Sequence, residues 1–201
     1  EPGVPRVGRN LAIAALGAIA VHVAETPVVR HAAAIVERRG WGLVKWLRLP
    51  LWIEVCAAVL LMDYTLYLWH ILTHRVPALW RFHAVHHIDL DMDASTAVRF
   101  HFGELALSTP WRAAQVIVIG TSPLALSVWQ TALLVSILFH HSNLELPLVV
   151  ERHLSRVMVT PRMHGIHHSV RGQDSETNWS SGLSLWDRLH GTLKLNVPQR
   201  E

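Results

Sequence analysis

Cysteine is nearly absent: Cys56 is the only one among 201 residues, and it lies inside an apolar run. That excludes a disulfide framework, and with it any thiolate metal site built on C-x-x-C, which needs two cysteines. Charge is also scarce. Asp, Glu, Lys and Arg make up 16% of the chain, against about 25% in ordinary globular domains. The balance is basic, with a formal net charge of +3 and a pI of about 9.6, yet there is no dense basic tract. Arg6, Arg9, Arg48, Arg75, Arg152 and Arg156 stand at the edges of apolar runs, where membrane segments carry flanking charge. No nucleic-acid partner is expected on that pattern. H-E-x-x-H is missing too, which argues against a zinc hydrolase with a carboxylate base beside its metal.

Apolar residues are abundant, at 51%, and mean hydropathy is +0.26. Disorder is excluded, because so much apolar surface offsets the entropy of ordering. Residues 11–29 form a first apolar segment, interrupted by His22 and Glu25 and only marginally long enough to span. It lacks the basic start and A-x-A-like site of a signal peptide. Residues 30–50 are mixed and basic. Residues 51–72 make the strongest spanning candidate, with Trp52, Tyr64, Tyr67 and Trp69 placed to sit at interfaces. Residues 111–139 are apolar around the break Gly120-Thr121-Ser122-Pro123, which reads as the turn of a helical hairpin. The ends of a hairpin share one side of the membrane. The polar blocks 75–104 and 140–201 therefore face the same way.

Histidine is the anomaly, at 15 residues, and most of it is clustered in those blocks. His70 and His74 are four apart, on one helical face at the end of the best spanning segment. Asp63 and Tyr67 extend the same stripe backwards. His83, His86 and His87 form an H-x-x-H-H box, repeated at His164, His167 and His168, and His140-His141 ends the hairpin. Neutral imidazole is the commonest protein metal ligand, and a cation is the simplest partner for so many nitrogen acceptors. About nine ligands suit two ions with open positions. Imidazole alone does not choose among Zn, Cu, Fe and Ni. Hydrocarbon has no good leaving group, so oxidation of a C–H bond suits a site at the edge of a bilayer better than hydrolysis. A metal transporter or other membrane metal-binding protein without redox catalysis is the alternative. Transporters, however, place ligands near the bilayer midplane, whereas these clusters stand at helix ends.

From about Leu51 to Leu193 the ordered motifs resemble the fatty acid hydroxylase / sterol desaturase superfamily of membrane di-iron enzymes. The marks are Asp63-Tyr64 before His70-x-x-x-His74, then Leu79-Trp80-Arg81-Phe82-His83-x-x-His86-His87, and Arg99-Phe100-His101 with Glu104. Phe139-His140-His141-Ser142-Asn143 follows, then Pro161-x-x-His164-x-x-His167-His168, Asn178, and Leu185-Trp186-Asp187-Arg188-Leu189-His190-Gly191-Thr192. Where members commonly have Asn-Tyr-Gly, this chain has Asn178-Trp179-Ser180.

The resemblance implies an all-α fold: an integral membrane helical bundle, about four membrane helices in two hairpins, with a histidine-rich helical cap on the cytoplasmic face. One such domain would occupy residues 1–201. It implies two iron ions, O2 as co-substrate, a lipid substrate to be hydroxylated or desaturated, and a separate electron donor, either ferredoxin or a cytochrome b5-type protein with its NAD(P)H reductase. The ligands carried over are His70, His74, His83, His86, His87, His141, His164, His167 and His168, with His101 as a further candidate. His141 is preferred to His140 because the pattern places a histidine directly before Ser-Asn. Asp63, Glu104, Asn178 and Asp187 are the candidates to hold the ligands' other ring nitrogens. Asp89, Asp91 and Asp93 read as a solvated loop. The basic stretch 30–48 would lie opposite the histidines if both flanking segments span, which conflicts with the positive-inside rule.

Overall fold

The computed structural model describes residues 3–89 and 91–195. The described residues are helical, with one isolated antiparallel bridge between Met158 and Leu183. Four long rods dominate. The first is α1 (Gly3–Ala20) continued through a π-helical turn (Val21–Glu25) into α2 (Thr26–Arg39). A short α3 (Leu43–Trp46) leads into α4 (Leu51–Arg75), and the second pair is α6 (Phe102–Ile119) and α7 (Pro123–His140). Between and after them lie α5 (Pro77–His87), α8 (Leu148–Leu154), α9 (Pro161–His167), α10 (Gly172–Ser175) and α11 (Leu185–His190).

Local chemistry sets the breaks. Pro27 has no N–H to give an α-helical ladder. The chain absorbs it by widening one turn, with Thr26 N–H bonding to the Val21 carbonyl. The apolar stretch 11–29 is therefore not a separate short helix but the middle of a rod running from Gly3 to Arg39. Pro77 ends α4, because the residue before a proline avoids helical geometry. Val76 is extended and serves as cap to both α4 and α5. The expected hairpin break is a left-handed Gly120 closing α6, followed by Ser122 capping α7 through the Ala125 N–H. That turn packs on the first one. A Cβ on Gly42 would strike the Gly120 backbone, and a Cβ on Gly120 would strike the Trp41 carbonyl.

Among the described residues, three segments are long and apolar enough to cross a membrane: Gly3–Trp46, Leu51–Arg75 and Pro123–His140. The fourth rod, α6, carries Glu104, Arg112 and Gln115 in its buried face and falls outside that set. The outer faces expose Leu16, Ile19, Trp46, Trp52, Val118 and Val135, as rods in hydrocarbon would.

Along the bundle the interior changes character. At the end bearing the two turns is an apolar core of Val29, Val36, Met62, Val116, Leu126 and Trp129. Next comes a cavity, and beyond it α5, α9 and the 174–194 segment form the histidine-bearing cap. The basic stretch 30–48 runs toward the end away from the histidines, where Lys45 pairs with Glu37 and Glu54 at 2.7 Å each.

The acidic run 89–93 is not simply solvated. Asp89 is buried, pairs with Arg6 at 2.9 Å and accepts from Asn10 and Thr96 at 2.7 Å each. Asp93 also bonds Arg6. Arg99 donates to Asn10 and to the Val85 carbonyl. This knot fastens the start of α1 to the cap. Its cause is a polar stripe on α1 that the 11–29 reading left out.

Candidate metal centre

Two sets of four histidines converge in the cap. His70, His74, His83 and His87 form cluster A; His86, His141, His164 and His168 form cluster B. Within each, one ring nitrogen from every member lies within 4.8 Å of the others. His167 joins cluster A, its Nε2 lying 3.1 Å from that of His70. The clusters abut where His87 and His168 stack, with centroids 4.2 Å apart. All nine expected ligands are thus brought together.

The break at Pro77 makes this possible, because α5 folds back on α4 and turns its H-x-x-H-H onto the H-x-x-x-H face. Thr160 caps α9 at Met163 N–H and Pro161 occupies its first turn, so the second box is helical as well.

The hydrogen bonds behind the rings fix where the lone pairs point. His70 Nδ1 lies 2.7 Å from the Trp179 carbonyl and His167 Nδ1 lies 2.9 Å from the Thr177 carbonyl. A carbonyl only accepts, so both Nδ1 atoms carry hydrogens and both Nε2 atoms are bare. Two bare nitrogens 3.1 Å apart repel unless a cation lies between them. Two nitrogens bound to one ion at about 2.1 Å sit about 3.0–3.4 Å apart for octahedral to tetrahedral angles. The same 3.1 Å separates Nε2 atoms of His74 and His87, His86 and His141, His141 and His164, and His164 and His168. The donor set fits metal ions. Burial also keeps the rings neutral and able to ligate. It lowers His141 to about 4, against a bond to the Ile137 carbonyl that raises it, and His167 to about 3, against one to Thr177. His86, His164 and His168 are also pushed well down, by burial and by neighbouring imidazoles.

The other candidates divide. Glu104 is buried and accepts from His83 Nδ1 at 2.9 Å. Asp63 makes its hydrogen bonds away from the histidines. It accepts from Leu183 N–H and Trp186 Nε1–H at 3.0 and 2.7 Å, and so anchors the last loop to α4. Asp187 and Asn178 act through backbone. Asp187, fully buried, accepts from the N–H groups of Trp179 and Ser180 and from Thr192. Asn178 adopts φ 54° and bonds Met163 and Lys194. Together they hold the Thr177 and Trp179 carbonyls against His167 and His70. His101 does not join the clusters; its Nδ1 caps α6 at Gly103 N–H.

Several contributors escaped the sequence reading. Trp179 sets its ring edge-on to His74 at 4.6 Å, Phe100 stacks on His86 at 4.4 Å, and Trp80 tilts on His74 at 4.8 Å. His140, passed over as a ligand, lies 4.1 Å from the His164 ring and lines the cavity. The signals were Trp80 and Phe100 beside the boxes and the departure Trp179-Ser180.

Beneath the histidines is a cavity of about 350 Å³. His70, His83, His86, His141 and His164 roof it, while Ala14, Gly17, Leu66, Leu105, Leu133 and Ile137 supply apolar walls.

A fatty acid hydroxylase family model matches residues 55–192. An ornithine lipid hydroxylase from Rhizobium tropici is 31% identical over 145 residues, 72% of this chain and 43% of its own length. Mouse cholesterol 25-hydroxylase is 28% identical over 70% of this chain and 47% of its own. Human alkylglycerol monooxygenase is 30% identical over 69% of this chain and 30% of its own. The chain thus spans half or less of the length of these relatives. No solved structure matches it. With a family model matched across both H-x-x-H-H boxes and the hairpin between them, the chain belongs to the fatty acid hydroxylase family.

Proposed function

We propose that the protein is an integral membrane oxygenase that binds two iron ions in the cap and oxidises a lipid held in the cavity, by hydroxylation or desaturation. The observation that carries this reading is the pair of bare Nε2 atoms on His70 and His167, within a nine-histidine array above an apolar cavity. The bound irons would activate O2, with electrons from a separate donor of ferredoxin or cytochrome b5 type, to oxidise a C–H bond.

The chain's own residues prepare the site. The Trp179 and Thr177 carbonyls and Glu104 hold three rings in the tautomer that turns Nε2 inward. Trp80, Phe100 and Trp179 cover the rings with apolar surface that keeps water from the reacting centre. The cavity walls orient the lipid chain under the roof of imidazoles. No side chain has to act as nucleophile.

The cap belongs on the cytoplasmic side. Of the 18 Lys and Arg, five lie in 30–48, Arg112 is inside the bundle, and Arg200 is outside the described residues. The remaining eleven stand at the cap end, so the positive-inside count favours that face despite the basic stretch opposite. The single domain expected over 1–201 fits one cap served by all four rods.

Metal analysis of the purified protein should find two irons per chain, and 18O from O2 should enter a hydroxylated product. One labile zinc and no oxygen-dependent product would favour the membrane metal-binding alternative. Lipid profiles of cells with and without the gene, searched for a gain of one oxygen or a loss of two hydrogens, would identify the substrate.

A further inference from the structure

The cavity has a second polar end that the oxidation step does not use. Arg112 and Glu25 line it on the side away from the histidines. Arg112 is 7% exposed, donates to Gln115 Oε1 at 2.8 Å, and lies over the Trp129 ring at 4.5 Å. Its Nε is buried with no hydrogen-bond partner among the described residues. Glu25 Oε1 lies 3.9 Å from that nitrogen, beyond hydrogen-bond reach. Glu25 Oε2 is 3.3 Å from Ser108 Oγ, but the one hydroxyl hydrogen there also faces the Leu105 carbonyl at 2.8 Å. Arg112 Nε is thus unsatisfied, and Glu25 has only a long, shared hydroxyl contact. Glu25 closes the π-helical turn, and such turns recur at functional sites.

A buried cation 3.9 Å from a partly buried anion is costly unless something completes it. A hydroxyl does so with one oxygen, donating to Glu25 and accepting from Arg112. A carboxylate cannot donate and meets the charge of Glu25. A hydrocarbon end leaves both groups unpaired. Glu104, behind His83, and Arg112 are eight residues apart on α6, about 12 Å along the helix. We propose that the substrate is a neutral lipid alcohol whose hydroxyl sits between Glu25 and Arg112, with the oxidised carbon about 12 Å away beneath the histidines. This rests on the oxygenase reading for the fate of the carbon, while the hydroxyl seat is a binding property testable without turnover.

The test is retention of tritiated lauryl alcohol, dodecane and laurate by the purified metal-loaded protein in nanodiscs. Wild type should favour the alcohol over dodecane by about tenfold, the worth of a hydrogen bond to a charged group. Arg112→Leu should bring the two level while dodecane retention stays unchanged. Glu25→Gln should raise laurate relative to lauryl alcohol by about tenfold, because Arg112 then lacks its counter-charge. A merely structural ion pair remote from the ligand would not shift the laurate-to-alcohol ratio. If Arg112→Leu fails to fold, the near-isosteric Glu25→Gln decides alone. Equal retention of alcohol and dodecane by wild type, or an unchanged laurate-to-alcohol ratio in Glu25→Gln, overturns the proposal. Oxygen-dependent lipid oxidation without alcohol preference would sink the seat and leave the oxygenase. Alcohol preference without oxidation would do the reverse.

Discussion

Cluster A has three rings fixed from behind, His70 by the Trp179 carbonyl, His83 by Glu104 and His167 by the Thr177 carbonyl. Cluster B has one, His141, on the Ile137 carbonyl, while the Nδ1 atoms of His86, His164 and His168 are buried without a partner. The ligand chemistry is the same and the support is not. A backing acceptor fixes the tautomer and makes the ligating nitrogen more basic, and its loss typically costs about 10–100-fold in metal affinity. The ion in cluster A should therefore be the tighter one. Chelator titration should remove one metal before the other, with the first loss mapping to cluster B.

The largest test removes ligands. His167→Ala in cluster A and His86→Ala in cluster B should each abolish product formation and lower the bound metal by about one ion per chain, with the helical content retained. Full activity in either would break the assignment. Asp187→Ala comes next. It strands the buried N–H groups of Trp179 and Ser180, at about 2–4 kcal/mol. Melting should show that loss, and metal release should quicken from cluster A only. Glu104→Gln keeps an acceptor for His83 but no charge, so cluster A affinity should fall by about tenfold with cluster B unchanged.

The smallest effect per group is in pH. His167 and His141 have folded values of about 3 and 4, below the ordinary 6.5. Between those limits the unfolded chain binds more protons than the folded one, so stability falls as pH falls. Metal-stripped protein should lose about 0.7 kcal/mol per such ring between pH 7 and 6, read as a lower melting temperature. A flat profile would show the rings to be less buried than described.

The histidine array was legible because ligands on helices recur at spacings of three and four, and because proline and hairpin breaks say which ends meet. Glu104 was legible as a carboxylate near a box. The supports at Thr177 and Trp179 were not, since a backbone carbonyl has no letter in the sequence. Asp63 misled for a related reason: its place on the histidine stripe suggested a ring nitrogen as partner, and the partners are the Leu183 N–H, 120 residues later, and the Trp186 indole of α11. The first rod was misjudged because apolar runs were weighed without the polar stripe of Arg6 and Asn10.

The widened turn at Val21–Glu25 holds what amounts to one surplus residue in the first rod. Excising one residue there would regularise the screw and swing one half of the rod by about 100° against the other. Either Arg6 and Asn10 would rotate off Asp89, or Val29 and Val36 would leave the inner packing. The irregularity acts as a phase shifter, letting a single continuous shaft address two differently oriented neighbours.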